Sequence, residues 1–139
     1  MSTRLKKKEE KILRVLETLA EESMKGKLIV VEGKKDVDAL YALGVKGKVL
    51  MVKTGGKSFL DAVYEIEKMD IPEVILLLDF DRRGKEGTKH LKQSLERAKI
   101  KPNTKIWRSL SATVGGEIQC IESLTVYLRN LHEKLNAQR

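Results

Sequence analysis

Apolar residues recur at helical intervals over residues 2–24, where Leu5, Ile12, Leu16 and Leu19 lie among charges with no Gly or Pro between them. The spacing predicts an amphipathic helix that Gly26 ends. The pattern then changes. Residues 27–31 read as a short buried strand, 35–43 as a helix closed by Gly44, 48–52 as a second strand, and 58–69 as a helix with Leu60, Val63, Tyr64 and Ile66 on one face. Ser58, with Asp61 three residues on, is a fitting N-terminal cap for that helix. The continuous apolar run Val74-Ile75-Leu76-Leu77-Leu78 has the composition of a central parallel strand covered on both sides. A helix over 85–98, a strand over 104–107 and a final helix over 118–135 complete the reading. Strands alternating with helices imply right-handed crossovers, so the expected fold is an α/β, Rossmann-like, doubly wound sheet of about four mostly parallel strands with helices on both faces.

Length narrows this to one domain, since 139 residues support one core. Within it, 1–26 form an N-terminal helical segment, 27–115 the α/β core, and 116–139 a C-terminal helical part packed on that core. Aromatic residues make up 4% of the chain, so the core must be aliphatic. Basic residues exceed acidic ones, 28 to 20, and this net +8 suits a polyanionic partner, with Arg4, Lys6, Lys7, Lys8 and Lys11 concentrated in the first helix. The same run also reads as a solvated helix face. One cysteine, Cys120, excludes an internal disulfide and a cysteine-based zinc cluster. No apolar run is long enough to span a bilayer and no signal-peptide core is present, so the expectation is a soluble, cytoplasmic protein with no membrane partner.

Ligands of an open parallel sheet bind outside the carboxyl ends of its strands, which directs attention to four loops. They are Glu32-Gly33-Lys34-Lys35-Asp36, Thr54-Gly55-Gly56-Lys57-Ser58, Asp79-Phe80-Asp81-Arg82-Arg83-Gly84-Lys85, and Arg108-Ser109-Leu110-Ser111. Glu32 and Asp79 each end an apolar strand, and Asp81 follows two residues later. Neighbouring strands would bring the first two within about 4.8 Å in the sheet direction. Three converging carboxylates repel unless a cation neutralises them, and hard oxygen donors suit Mg²⁺. The competing reading makes Asp79 a strand end and Asp81 a helix cap. Gly33, Gly55, Gly56 and Gly84 lie where strands hand over to helices, at turns that need a positive φ or a close backbone approach, beside helix N-termini that attract phosphate. With Lys34, Lys35, Lys57, Arg82, Arg83 and Lys85 they frame the acidic centre in positive charge. Gly56-Lys57-Ser58 is not a Walker A loop, because Met51 stands where that motif requires glycine.

These residues resemble the Toprim family, the catalytic domain shared by topoisomerases of types IA and II, bacterial primases, ribonuclease M5 and OLD-type nucleases. Its pattern is Glu after one strand, then Asp-x-Asp and a nearby Gly after a later strand, here Glu32-Gly33, Asp79-Phe80-Asp81 and Gly84. Val30-Val31-Glu32-Gly33-Lys34-Lys35-Asp36 looks especially like ribonuclease M5 and the OLD nucleases, and short stand-alone archaeal Toprim proteins are similar over nearly the whole chain. The resemblance implies a Toprim fold, Glu32 as general acid/base, Asp79 and Asp81 as ligands of Mg²⁺ (with Mn²⁺ as a substitute), and Asp36 as a further carboxylate at the metal.

Topoisomerase chemistry needs a nucleophilic Tyr on another domain, whereas Tyr41, Tyr64 and Tyr127 fall on predicted helices as packing residues. Primases need a zinc module that one cysteine cannot supply. The leading expectation is Mg²⁺-dependent phosphodiester cleavage, of RNA rather than DNA. One alternative is a Mg²⁺-dependent binding module of a larger RNA-processing assembly. Another is a haloacid-dehalogenase-like phosphatase, whose nucleophile motif also reads Asp-x-Asp. His90 and His132 are expected as exposed or capping residues, Trp107 as core packing ahead of base stacking, and Glu117 and Glu122 as outside candidates for a further metal ligand.

Overall fold

The computed structural model describes residues 2–52 and 59–137. Helix α1 (Ser2–Met24) leads through Gly26 into β1 (Leu28–Val31), α2 (Lys34–Ala42), β2 (Val49–Met51), α3 (Phe59–Lys68), β3 (Glu73–Leu76), α4 (Arg82–Arg97), β4 (Lys101–Asn103), α5 (Lys105–Val114), a 3-10 turn (Ile121–Ser123) and α6 (Leu124–Ala137). Gly26 and Gly44 follow α1 and α2 at φ +96 and +98, left-handed conformations that a side chain would oppose.

The four strands form one all-parallel sheet in the order β2-β1-β3-β4. Alternation along the strands divides the core in two. Ile29, Val31, Ile75 and Leu77 pack beneath α1, α2, α5 and α6 through Leu16, Leu19, Leu40, Leu110 and Leu131. Leu28, Val30, Val74, Leu76 and Leu78 face α3 and α4 through Val63, Ile66, Leu91 and Leu95. All four β1 residues are buried, as their uninterrupted apolar sequence requires. The expected α/β sheet with helices on both faces is therefore present, and all its strand pairs are parallel.

Two assignments are corrected. Residues 104–107 are not the fourth strand: the strand is Lys101–Asn103, and Ile106, Leu110 and Val114 are the buried stripe of α5. Pro102 hid the strand, but a sheet edge tolerates a residue without an N–H, and among the described residues β4 pairs only with β3. The final helix begins at Leu124, because Gly115 and Gly116 are followed by an irregular stretch that reaches the 3-10 turn.

Candidate functional site

The chain passes from β1 outward to β2, then returns to place β3 on the other side of β1. The sheet order thus reverses between β1 and β3, where the following helices leave on opposite faces and open a crevice at the carboxyl ends. Glu32 directly follows β1, and Asp79 and Asp81 lie between β3 and α4. With Leu28 opposite Val74 and Val30 opposite Leu76, the register carries both strand ends to the same rim.

Glu32 is 8% exposed, an unusual degree of burial for a glutamate. It borders a cleft of about 240 Å³ with Phe59, Arg83, Glu86, Gly87 and His90. Asp79 is half-buried. Asp81 caps α4, its Oδ1 accepting the Gly84 N–H at 2.8 Å. Gly84 matters through contact: a Cβ there would stand 2.0 Å from the Asp79 carbonyl oxygen, so the first turn of α4 lies directly against the backbone of Asp79. Gly33 differs, since it is extended at φ −145 with open space where a Cβ would go. Neither a left-handed turn nor crowding calls for glycine there.

Asp36 turns away from solvent at 6% exposure. Its Oδ2 accepts the Gly33 N–H at 3.2 Å and its Oδ1 the Glu122 N–H at 2.8 Å. It therefore closes the start of α2 and ties that loop to the 3-10 turn. Among the described residues, the group of three whose ligand atoms lie within 4.8 Å of one another is Asp36, Cys120 and Glu122. Both Asp36 oxygens already accept N–H groups, and Cys120 Sγ lies 3.5 Å from Ser123 Oγ, so the first task of this cluster is to join two segments.

The loop after β3 is braced from the same side. Phe80 N–H donates to the Gln119 carbonyl at 2.6 Å, and Trp107 Nε1 donates to the Leu78 carbonyl at 2.8 Å. Trp107 thus lies on α5 with its ring 6.3 Å from that of Phe80, in a packing role. Both carboxylate-bearing loops rest on the C-terminal part of the chain. No sequence motif announces this, because Gln119 and Glu122 contribute backbone groups.

Lys34, Arg82, Arg83 and Lys85 are exposed around the rim, with Arg82 Nε 3.4 Å from Glu86 Oε1. Lys35 Nζ reaches Glu122 Oε1 at 3.9 Å. Gly55, Gly56, Lys57 and the Ser58 cap lie outside the described residues. The stretch Arg108-Ser109-Leu110-Ser111 is not a rim loop but the middle of α5. Glu117 pairs with Lys8, which holds its carboxyl below the usual range, and this contact joins α1 to the C-terminal part. His132 Nδ1 meets Glu9 Oε2 at 3.0 Å, a further link between α6 and α1. Tyr41, Tyr64 and Tyr127 all lie on helices. His90 is the residue that reading residue types alone passed over. Its position seven residues after Arg83 puts both on one face of α4, and that helical spacing was the available signal.

Residues 26–109 match the Toprim domain family. The chain belongs to the Toprim family. Among its Toprim relatives, the UPF0292 protein of Methanocaldococcus jannaschii is 40% identical over 120 residues, covering 86% of this chain and 91% of that one. The UPF0292 protein of Archaeoglobus fulgidus is 34% identical over 116 residues, covering 84% and 88%. A solved structure of an Aquifex aeolicus protein superimposes with a TM-score of 0.67 at 26% identity, over 79% of this chain and 94% of that one. The chain is thus like small archaeal Toprim proteins along most of its length. Toprim membership indicates a metal-dependent role in nucleic-acid processing. No helix among the described residues is long and apolar enough to cross a membrane.

Proposed function

We propose that this Toprim protein cleaves phosphodiester bonds in RNA, with Glu32 as general acid/base and Asp79 and Asp81 as ligands of Mg²⁺. The observation that carries the reading is a buried Glu32 in the crevice where the sheet order reverses, with two aspartates leaving the adjacent strand. The donor set fits the ion. Carboxylate oxygens are hard ligands, and the Gly84 N–H, which holds one oxygen of Asp81, fixes that side chain without neutralising it. Mg²⁺ bound there supplies Lewis-acid stabilisation of charge on the phosphoryl oxygens, and Mn²⁺ would substitute.

The remaining work falls to the chain. Glu32 handles one proton of the displacement, taken as carboxylate from the attacking water or given as carboxylic acid to the leaving oxygen as the P–O bond breaks, with solvent completing the other transfer. Lys34, Lys35, Arg82, Arg83 and Lys85 around the rim meet flanking phosphates, with Gly55, Gly56 and Lys57 assigned to the same task by their place in the sequence. Asp36 serves as a positioning residue through its N–H contacts. We assign the protein to the cytoplasm.

The test is incubation with end-labelled RNA and DNA in Mg²⁺ and in chelator, beside Glu32→Gln and Asp79→Asn. Mg²⁺-dependent RNA shortening that both substitutions abolish is the expected result. Cleavage that survives both overturns the assignment.

One observation favours a second reading, a Mg²⁺-dependent RNA-binding module that docks on an RNA-processing assembly. A cleft of about 590 Å³ between α1 and α6 is lined by Arg4, Lys134 and the Lys8–Glu117 pair, and its two further basic groups are ones that cleavage at the crevice does not need. RNA bound in Mg²⁺ and never shortened would favour it. The haloacid-dehalogenase alternative finds no support in this rim, where α4 starts at Arg82 immediately after the second aspartate.

A further inference from the structure

The cleft beside Glu32 has walls that hydrolysis alone does not use. Phe59 opens α3 on one side, while Arg83, Glu86, Gly87 and His90 form one face of α4 on the other. Phe59 is held by an edge: a Cβ on Gly87 would come within 2.9 Å of its Cζ, so glycine lets the ring lie close to the backbone of α4. The ring is half-buried and also lines the cleft. Aromatic residues are scarce in this chain, with two Phe, three Tyr and one Trp; Phe80 and Trp107 pack against the core on the α5 side, and Phe59 packs against the core beneath α3 and α4 with part of its ring left to the cleft. Phe59 is the aromatic residue bordering the Glu32 cleft.

A ring fixed at one edge offers a platform for a flat partner. Facing it, Glu86 is an acceptor, His90 both donor and acceptor, and Arg83 a cation suited to phosphate. The cleft, about 240 Å³, has room for a single heterocycle.

We propose that this cleft takes one unpaired nucleobase, its face on Phe59, its edge toward Glu86 and His90, and the adjoining phosphate at Arg83. The proposal rests on the nucleic-acid reading above and sharpens it: the substrate is single-stranded, or unstacked, next to the carboxylates. Stacking on one aromatic side chain strengthens binding by about five- to hundred-fold.

The test is fluorescence anisotropy of the full chain in Mg²⁺ with a labelled single-stranded RNA, the same sequence as DNA, the duplex, and single strands carrying one abasic position. Expected are preference for the single strand, roughly ten-fold weaker single-strand binding by Phe59→Leu with duplex binding unchanged, and full binding by Phe59→Tyr. An abasic position that weakens wild-type binding should leave Phe59→Leu unaffected. Phe59→Leu keeps an apolar group against Gly87, and circular dichroism reports whether it folds. Equal single-strand affinity for wild type and Phe59→Leu overturns the proposal, as does absence of nucleic-acid binding. Cleavage is scored separately: Phe59-dependent binding without cleavage removes the nuclease reading and keeps the base site, whereas cleavage with Phe59-independent binding does the reverse.

Discussion

The two ends of the sheet treat their acidic residues differently. At the amino end, Lys27 Nζ lies 2.6 Å from Glu22 Oε2 and 3.1 Å from Glu73 Oε2, Lys101 approaches Glu73 at 3.9 Å, and Asn103 donates to Glu73 at 2.9 Å. At the carboxyl end, Asp36 and Asp81 are held by backbone N–H groups of Gly33, Glu122 and Gly84. An ammonium group cancels a carboxylate's charge, whereas an N–H dipole orients the group and leaves its negative charge in place. The amino end is therefore organised for stability. In the proposed reading, the carboxyl end presents the Asp81 carboxylate, oriented by the Gly84 N–H, to a cation.

This contrast is open to direct attack, beginning where the effect is largest. Glu32→Gln should lower Mg²⁺-dependent cleavage by about 10²- to 10⁴-fold, with circular dichroism showing a folded chain. A large drop in stability with little loss of turnover would move Glu32 to the stabilising class. Gly84→Ala comes next: its Cβ has only the Asp79 backbone to displace, so chemical denaturation should show a loss of about 1–3 kcal/mol along with weaker metal affinity. Trp107→Phe removes the hydrogen bond to the Leu78 carbonyl and should cost about 1 kcal/mol while leaving cleavage in place. The smallest effect belongs to the amino end, where Glu73→Gln keeps the Asn103 contact and should cost about 0.5–1 kcal/mol, with cleavage unchanged.

The pH dependence separates the ends further. Asn103, then Lys27 and Lys101, hold the Glu73 carboxyl below its ordinary range despite the opposing effect of burial. Its contribution to stability is thus fully present above the ordinary glutamate pKa and lost as pH falls through the lower folded value. Glu22, then Glu73, raise Lys27 above its ordinary value, so that contribution is present below the ordinary lysine pKa and fades as pH rises through the folded one. Melting temperatures of wild type and Glu73→Gln should converge in acid. A gap that persists there would assign the effect to packing.

Much of this arrangement can be read from residue order, for identifiable reasons. The run from Val74 to Leu78 announces a strand buried on both faces, and Glu32 follows β1 directly while Asp79 closes the apolar run three residues after β3 ends. What composition hides is whatever depends on context. Pro102 sits in a strand because an edge position does not need its N–H, and α5 was legible only through the spacing of Ile106, Leu110 and Val114. The structural duty of Asp36 depends on the Glu122 backbone N–H, far along the chain, which carries no side-chain signature. His90 needed its face of α4 to be known before it joined the Glu32 cleft.

The central claim is that the crevice carboxylates, and not the Asp36–Cys120–Glu122 group, hold the divalent ion. Mn²⁺ titration followed by electron paramagnetic resonance tests it most directly, comparing wild type with Asp79→Asn, Asp81→Asn and Glu122→Gln. The account predicts Mn²⁺ binding that is lost in both aspartate variants and retained in Glu122→Gln. Undiminished binding in Asp79→Asn, with loss in Glu122→Gln, would contradict it.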